Sequence, residues 1–96
     1  MVLLISYDLN GRERPSSYAR MKSYIEEHAV SSVRPLYSQW FVDTNSTPNQ
    51  WVNAFHDNGL IDANDRVFVC QVRSRRDYEG HLENSDWEWL NSRVPW

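Results

Sequence analysis

Near the N-terminus, Val2-Leu3-Leu4-Ile5-Ser6-Tyr7 shows no helical break in polarity and is closed by the turn pair Asn10-Gly11. A short run this rich in branched side chains predicts a central strand, buried on both faces. Its counterpart, Arg66-Val67-Phe68-Val69-Cys70-Gln71-Val72-Arg73, follows the turn-forming Asp62-Ala63-Asn64-Asp65 late in the chain. Two helical patterns lie between them. Pro15 and Ser16-Ser17 offer caps for a first helix in which Tyr18, Met21, Tyr24, Ile25 and His28 recur at intervals of three and four. Arg20, Lys22, Glu26 and Glu27 fall on or beside its wet side. A second, shorter helix starts at Thr47-Pro48-Asn49-Gln50, with Thr47 as N-cap, Pro48 in the first turn and Gln50 placed to complete a capping box. Trp51, Ala54 and Phe55 form its inward face, and Gly59 stops it.

Residues 33–43 carry Leu36, Tyr37, Trp40, Phe41 and Val42 in a stretch of strong β-propensity, which Pro35 confines to an edge or a bulge. One long bent strand or two short ones are expected there. The order is thus strand, helix, strand pair, helix, strand. Right-handed crossovers put both helices on one face of the sheet, in the split βαβ arrangement. The expected fold is an α+β, ferredoxin-like βαββαβ sandwich: an antiparallel sheet with two helices on one face and the other face open to a twin or a ligand. Residues 1–96 form one such domain, with residues 77–96 as an aromatic tail. Trp87, Trp89, Leu90 and Trp96 in that tail are too apolar to hang in water, and should dock on their own domain or on a second copy.

Composition narrows the function classes. With 41% hydrophobic and 14% aromatic residues, the chain is too apolar for disorder. Ninety-six residues make a small core, for which dimerisation would be useful. The single Cys70 has no partner for an internal disulfide and lies in an apolar run, which fits a reducing compartment. The opening run lacks a basic lead and a cleavage site, and no stretch approaches the roughly 20 apolar residues of a membrane span. A cytoplasmic protein, not bound to membrane, is expected. The formal charge of -3 disfavours non-specific duplex binding, yet positive charge clusters at Arg12 and Arg14, at Arg20 and Lys22, and at Arg73, Arg75 and Arg76.

Several segments, in order, carry a family likeness. Leu4-Ile5-Ser6-Tyr7-Asp8 resembles the apolar first strand ending in Tyr-Asp of the Cas-two-like proteins, the small CRISPR-associated adaptation subunit and its SinR-family relatives. Arg34-Pro35-Leu36-Tyr37-Ser38-Gln39-Trp40-Phe41 resembles their second-strand Tyr-Ser segment, and Asn64-Asp65 before Val67-Phe68-Val69 resembles their entry to the fourth strand. The likeness spans roughly residues 1–75. It implies a ferredoxin-like fold, a homodimer, and first-strand aspartates facing each other across the dimer axis, where some members hold a divalent metal for phosphodiester cleavage. Asp8 matches that position. The acidic charge and the Trp-rich tail depart from the CRISPR members, which often carry there a strand that exchanges with the partner.

Asp8 is therefore the candidate catalytic and metal-binding residue. Mg2+ takes oxygen ligands, often one or two carboxylates plus water and phosphate, so one Asp from each subunit of a dimer suffices. The same carboxylate is also placed to cap the turn at Asn10 and Gly11. Arg12 and Arg14 follow at once, where guanidinium groups would hold phosphate. Tyr37 and Ser38 complete the candidate nucleic-acid contacts. Tyr7, Tyr37 and Trp40 would stack bases if they face the open side of the sheet, and are core or interface residues otherwise.

Other chemistries find little support. His28, His56 and His81 lack zinc-site spacing, Ser38 has no nucleophile elbow, Cys70 has no nearby cation to activate it, and no Gly-rich phosphate loop is present. Three classes of function follow: a homodimer acting on RNA or DNA, with Mg-dependent endonuclease activity as its chemistry; a small-ligand or regulatory domain, since this fold hosts many functions; or a non-catalytic module of phage or bacterial defence. The last would bind a protein partner through the open sheet or the Trp cluster.

Overall fold

The computed structural model describes residues 1–9 and 15–96. Four strands form one sheet: β1 (Val2–Asp8), β2 (Ser31–Leu36), β3 (Gln39–Asp43) and β4 (Arg66–Val72). Their order is β2-β3-β1-β4, with antiparallel pairing throughout. Helix α1 (Pro15–His28) connects β1 to β2, and α2 (Pro48–Asp57) connects β3 to β4. This is the βαββαβ, ferredoxin-like arrangement expected, with the residues 33–43 segment divided by a turn at Tyr37 and Ser38. Pro35 sits where a proline is tolerated: β2 is an edge strand, and its register against β3 shifts between Val33 and Leu36.

Local chemistry accounts for the element ends. The capping box at α2 forms as the sequence predicts: Gln50 N donates to Thr47 Oγ1 at 3.2 Å, and Thr47 N donates to Gln50 Oε1 at 2.8 Å. Past its end, Gly59 adopts φ +68°, a left-handed conformation that a side chain would disfavour. The acidic turn before β4 closes on itself, Asp62 N donating to Asp65 Oδ2 at 2.9 Å and Asn64 N to Asp62 Oδ1 at 2.8 Å.

Strand alternation divides the sheet into two faces. Leu3, Ile5 and Tyr7 of β1 and Trp40 and Val42 of β3 pack against Met21 and Ile25 of α1 and Trp51 and Phe55 of α2, forming the main core. Trp51 Nε1 is held inside it by Thr44 Oγ1 at 3.2 Å.

The second face departs from expectation. Residues 77–96, expected as an aromatic tail docked on its own domain or on a second copy, hold a helix: a 3-10 turn (Arg75–Asp77) leads into α3 (Asn84–Asn91), which lies on the face opposite α1 and α2. Leu90 and Val94 pack on Val2, with Phe41, Val72, Tyr78, Leu82, Trp87 and Trp89 around them. Trp89 Nε1 donates to Ser31 Oγ at 2.9 Å, and Arg93 Nε reaches Asp43 Oδ2 at 3.5 Å. The tail thus docks on its own sheet. The face expected to stand open is covered at its Val2 end and open at its Asp8 end, so β1 is buried on both faces only near its start.

Candidate functional site at the end of the first strand

Asp8 closes β1 in the middle of the sheet, and its carboxylate is exposed. Alternation from the buried Leu3, Ile5 and Tyr7 places it, with Leu4 and Ser6, on the second face. The rows beside them on that face are Phe41 and Cys70 next to Leu4, Gln39 and Phe68 next to Ser6, and Arg66 next to Asp8. Phe68 is 63% exposed and Leu36 51%, so the uncovered half of the face is apolar around a carboxylate.

Arg66 stands opposite Asp8 without neutralising it. Its guanidinium turns back to Asp65 O at 3.0 Å and Ala63 O at 3.3 Å. No ion pair or hydrogen bond engages the Asp8 side chain among the described residues. Among those residues, too, no three His, Cys, Asp or Glu side chains converge as a metal cluster. Among the described residues, this end of the sheet therefore offers a divalent cation one free carboxylate, with the Ser6 and Gln39 side chains in the adjacent row. That donor set suits a hard, water-retaining ion such as Mg2+, provided a second carboxylate comes from elsewhere.

Two aromatic residues of the neighbouring strands lie on the other face. Tyr7 and Trp40, candidate base-stacking residues, are core: they are 4% and 2% exposed, and Trp40 Nε1 donates to Tyr7 Oη at 3.0 Å. Burial raises the Tyr7 phenol above its ordinary value of 10.0, against smaller lowering influences from the Trp40 hydrogen bond and the Arg34 charge. Tyr37 is different. It lies in the β2–β3 turn, 65% exposed, with its ring 5.0 Å from that of Tyr18. Ser38, beside it, acts through its backbone, its carbonyl accepting from Tyr7 N at 3.1 Å and extending the β1–β3 ladder. Arg12 and Arg14 lie outside the described residues, as does the turn at Asn10 and Gly11 that Asp8 was placed to cap.

Arg34 is a candidate that sequence reasoning passed over. Its Nε donates to Tyr37 O at 2.7 Å, and its guanidinium carbon lies 4.7 Å from the Tyr37 ring centroid and 5.3 Å from that of Trp40. No carboxylate neutralises it among the described residues. A fixed guanidinium beside an exposed tyrosine can receive a phosphate. The signal in the sequence was an arginine next to the edge-strand proline. Its purpose becomes legible only when the bulged hairpin folds it over the Tyr37 and Trp40 rings.

The sheet order and the two crossover helices define the ferredoxin-like class. Within that class the chain has a Cas2-like fold: it is similar to the crystal structure of Streptococcus pyogenes Cas2 at pH 6.5, with a TM-score of 0.57 over 84% of this chain and 99% of that one. Sequence identity is 20%, so the likeness is one of fold. No family model matches the sequence. Among the described residues, no helix is long and apolar enough to cross a membrane.

Proposed function

We propose that the chain is a Cas2-like, CRISPR-associated protein that acts on nucleic acid as a homodimer, with Asp8 from each copy forming a Mg2+ site for phosphodiester cleavage. The observation that carries this reading is the position of Asp8: an exposed carboxylate, with no ion-pair partner among the described residues, on the uncovered, partly apolar half of the second sheet face. A second copy packed on that half by a two-fold axis would bury Phe68 and Leu36 and bring the two Asp8 side chains toward each other. When bound between them, a divalent ion supplies charge neutralisation at phosphate and an acidified water.

The chain's own groups have separate tasks. Asp8 provides the anionic oxygen ligand. Arg34, with Arg12 and Arg14 on the segment after β1, holds the phosphate backbone. Tyr37 offers a ring to a neighbouring base, and Ser38 keeps the hairpin registered beside β1 through its carbonyl.

The test is cleavage of single- and double-stranded RNA and DNA with Mg2+ or Mn2+, comparing wild type with Asp8→Asn. Activity is expected to fall to background in the variant while stability stays within about 0.5 kcal/mol, because the side chain is exposed and has no bond to the other described residues. Equal cleavage by both proteins would remove Asp8 from the mechanism. Wild type that neither cleaves nor binds nucleic acid would favour the non-catalytic module, a reading supported by the net charge of -3 and by the same open half-face as a protein-binding surface.

A further inference from the structure

No ion pair or hydrogen bond holds the Asp8 side chain among the described residues, so its backbone sets where the exposed carboxylate points. That backbone is pinned on both sides. Before Asp8, Tyr7 N donates to Ser38 O at 3.1 Å. After it, Leu9 lies just past the end of β1, 5% exposed, where a backbone N–H needs an acceptor. The acceptor comes from α1: Leu9 N donates to Tyr18 Oη at 3.3 Å. The Tyr18 ring packs against the main core, its centroid 6.0 Å from that of Tyr7 and 5.0 Å from that of Tyr37. One helix side chain thus ties the exit of β1 to the β2–β3 turn.

A phenylalanine would fill the same space and make the same ring contacts. What the tyrosine adds is the hydroxyl, and its partner is the peptide unit that joins Asp8 to Leu9. That unit is planar and rigid, so a bond at Leu9 N fixes the backbone of Asp8 as well. We infer that Tyr18 is a positioning residue for Asp8: its hydroxyl holds the end of β1 in the orientation from which the carboxylate reaches a divalent ion. The inference rests on the reading of Asp8 as a metal ligand and adds the group that sets its direction. Mg2+ demands near-octahedral geometry, so a lone carboxylate from each copy tolerates little misdirection. Groups that orient a metal ligand from behind change metal affinity by about tenfold or more. A bond that merely satisfied a buried N–H would leave that affinity unchanged.

The test measures binding of Mn2+ alone to the full chain, from the electron paramagnetic resonance signal of the free ion, together with hydrogen exchange at the Leu9 amide. Each protein is held at a temperature where it is folded. Wild type is expected to bind Mn2+ and Asp8→Asn to lose it. Tyr18→Phe should weaken Mn2+ binding about tenfold and speed exchange at Leu9 about fivefold, the loss of one neutral hydrogen bond. Tyr18→Leu, which also removes the ring, should weaken Mn2+ binding at least as much and lower the denaturation midpoint further. Unchanged Mn2+ affinity in Tyr18→Phe overturns the inference while leaving Asp8 as a ligand, and so does a loss confined to Tyr18→Leu. Wild type that binds no Mn2+, or Asp8→Asn that binds it as well as wild type, removes Asp8 from metal binding and the positioning role with it.

Discussion

Tyr7 and Asp8 are adjacent in sequence and serve opposite ends of the problem of folding. Strand alternation turns Tyr7 into the helix-covered core and Asp8 onto the second face, so a single residue step separates a buried phenol from an exposed carboxylate. Because Tyr7 Oη receives the buried Trp40 indole N–H, Tyr7→Phe leaves that donor without a partner. Chemical denaturation should report a loss of about 1 to 3 kcal/mol. The raised phenol also sets a pH dependence. Tyr7 remains neutral in the folded protein above the pH at which the unfolded chain ionises, so its contribution is fully present below pH 10.0 and is lost as pH rises through the higher folded value. In Tyr7→Phe, alkaline denaturation should lack this component of the decline.

Among the elements, α3 changes the most about the molecule. Its signature was present in the spacing of Trp87 and Leu90, three residues apart, with Val94 following just past the end of the helix. The abundance of tryptophan and acid in that segment suggested a tail more than a helix. The packing shows why the segment is apolar: Leu90 and Val94 are fully or almost fully buried against Val2, closing the second core. Leu90→Ala should therefore cost about 2 to 5 kcal/mol and uncover apolar sheet surface, read as a lowered denaturation midpoint together with increased binding of a hydrophobic dye. The first two helices needed no such correction. The capping box at Thr47 and Gln50, the proline at the start of α2 and the left-handed Gly59 are contacts within a few residues, and they appear where the sequence places them.

For the whole molecule, α3 decides how much sheet is left for a partner. With the Val2 end covered, the free apolar surface of this face gathers around Leu36, Phe68 and Leu4, beside Asp8. A two-fold dimer built on this patch, as proposed, is sensitive to charge at its centre. Phe68→Asp should convert a dimer to a monomer in sedimentation velocity, with little change in monomer stability because the ring is exposed. A wild type that stays monomeric at all concentrations would dissociate the Asp8 site from dimerisation.

The sequence by itself determined the order of the four strands and the first two helices, the capping of α2, the confinement of Pro35 to an edge or a bulge, and the antiparallel fold class. These depend on the period of apolar residues and on hydrogen bonds between near neighbours. Tertiary structure alone decided that the tail covers half of the second face, that Tyr7 and Trp40 are core instead of binding surface, and that Arg34 lies over Tyr37. Such outcomes rest on contacts between distant segments, as with Trp89 and Ser31, 58 residues apart. A local pattern specifies which side of an element is apolar. It does not specify which of several apolar surfaces that side will cover.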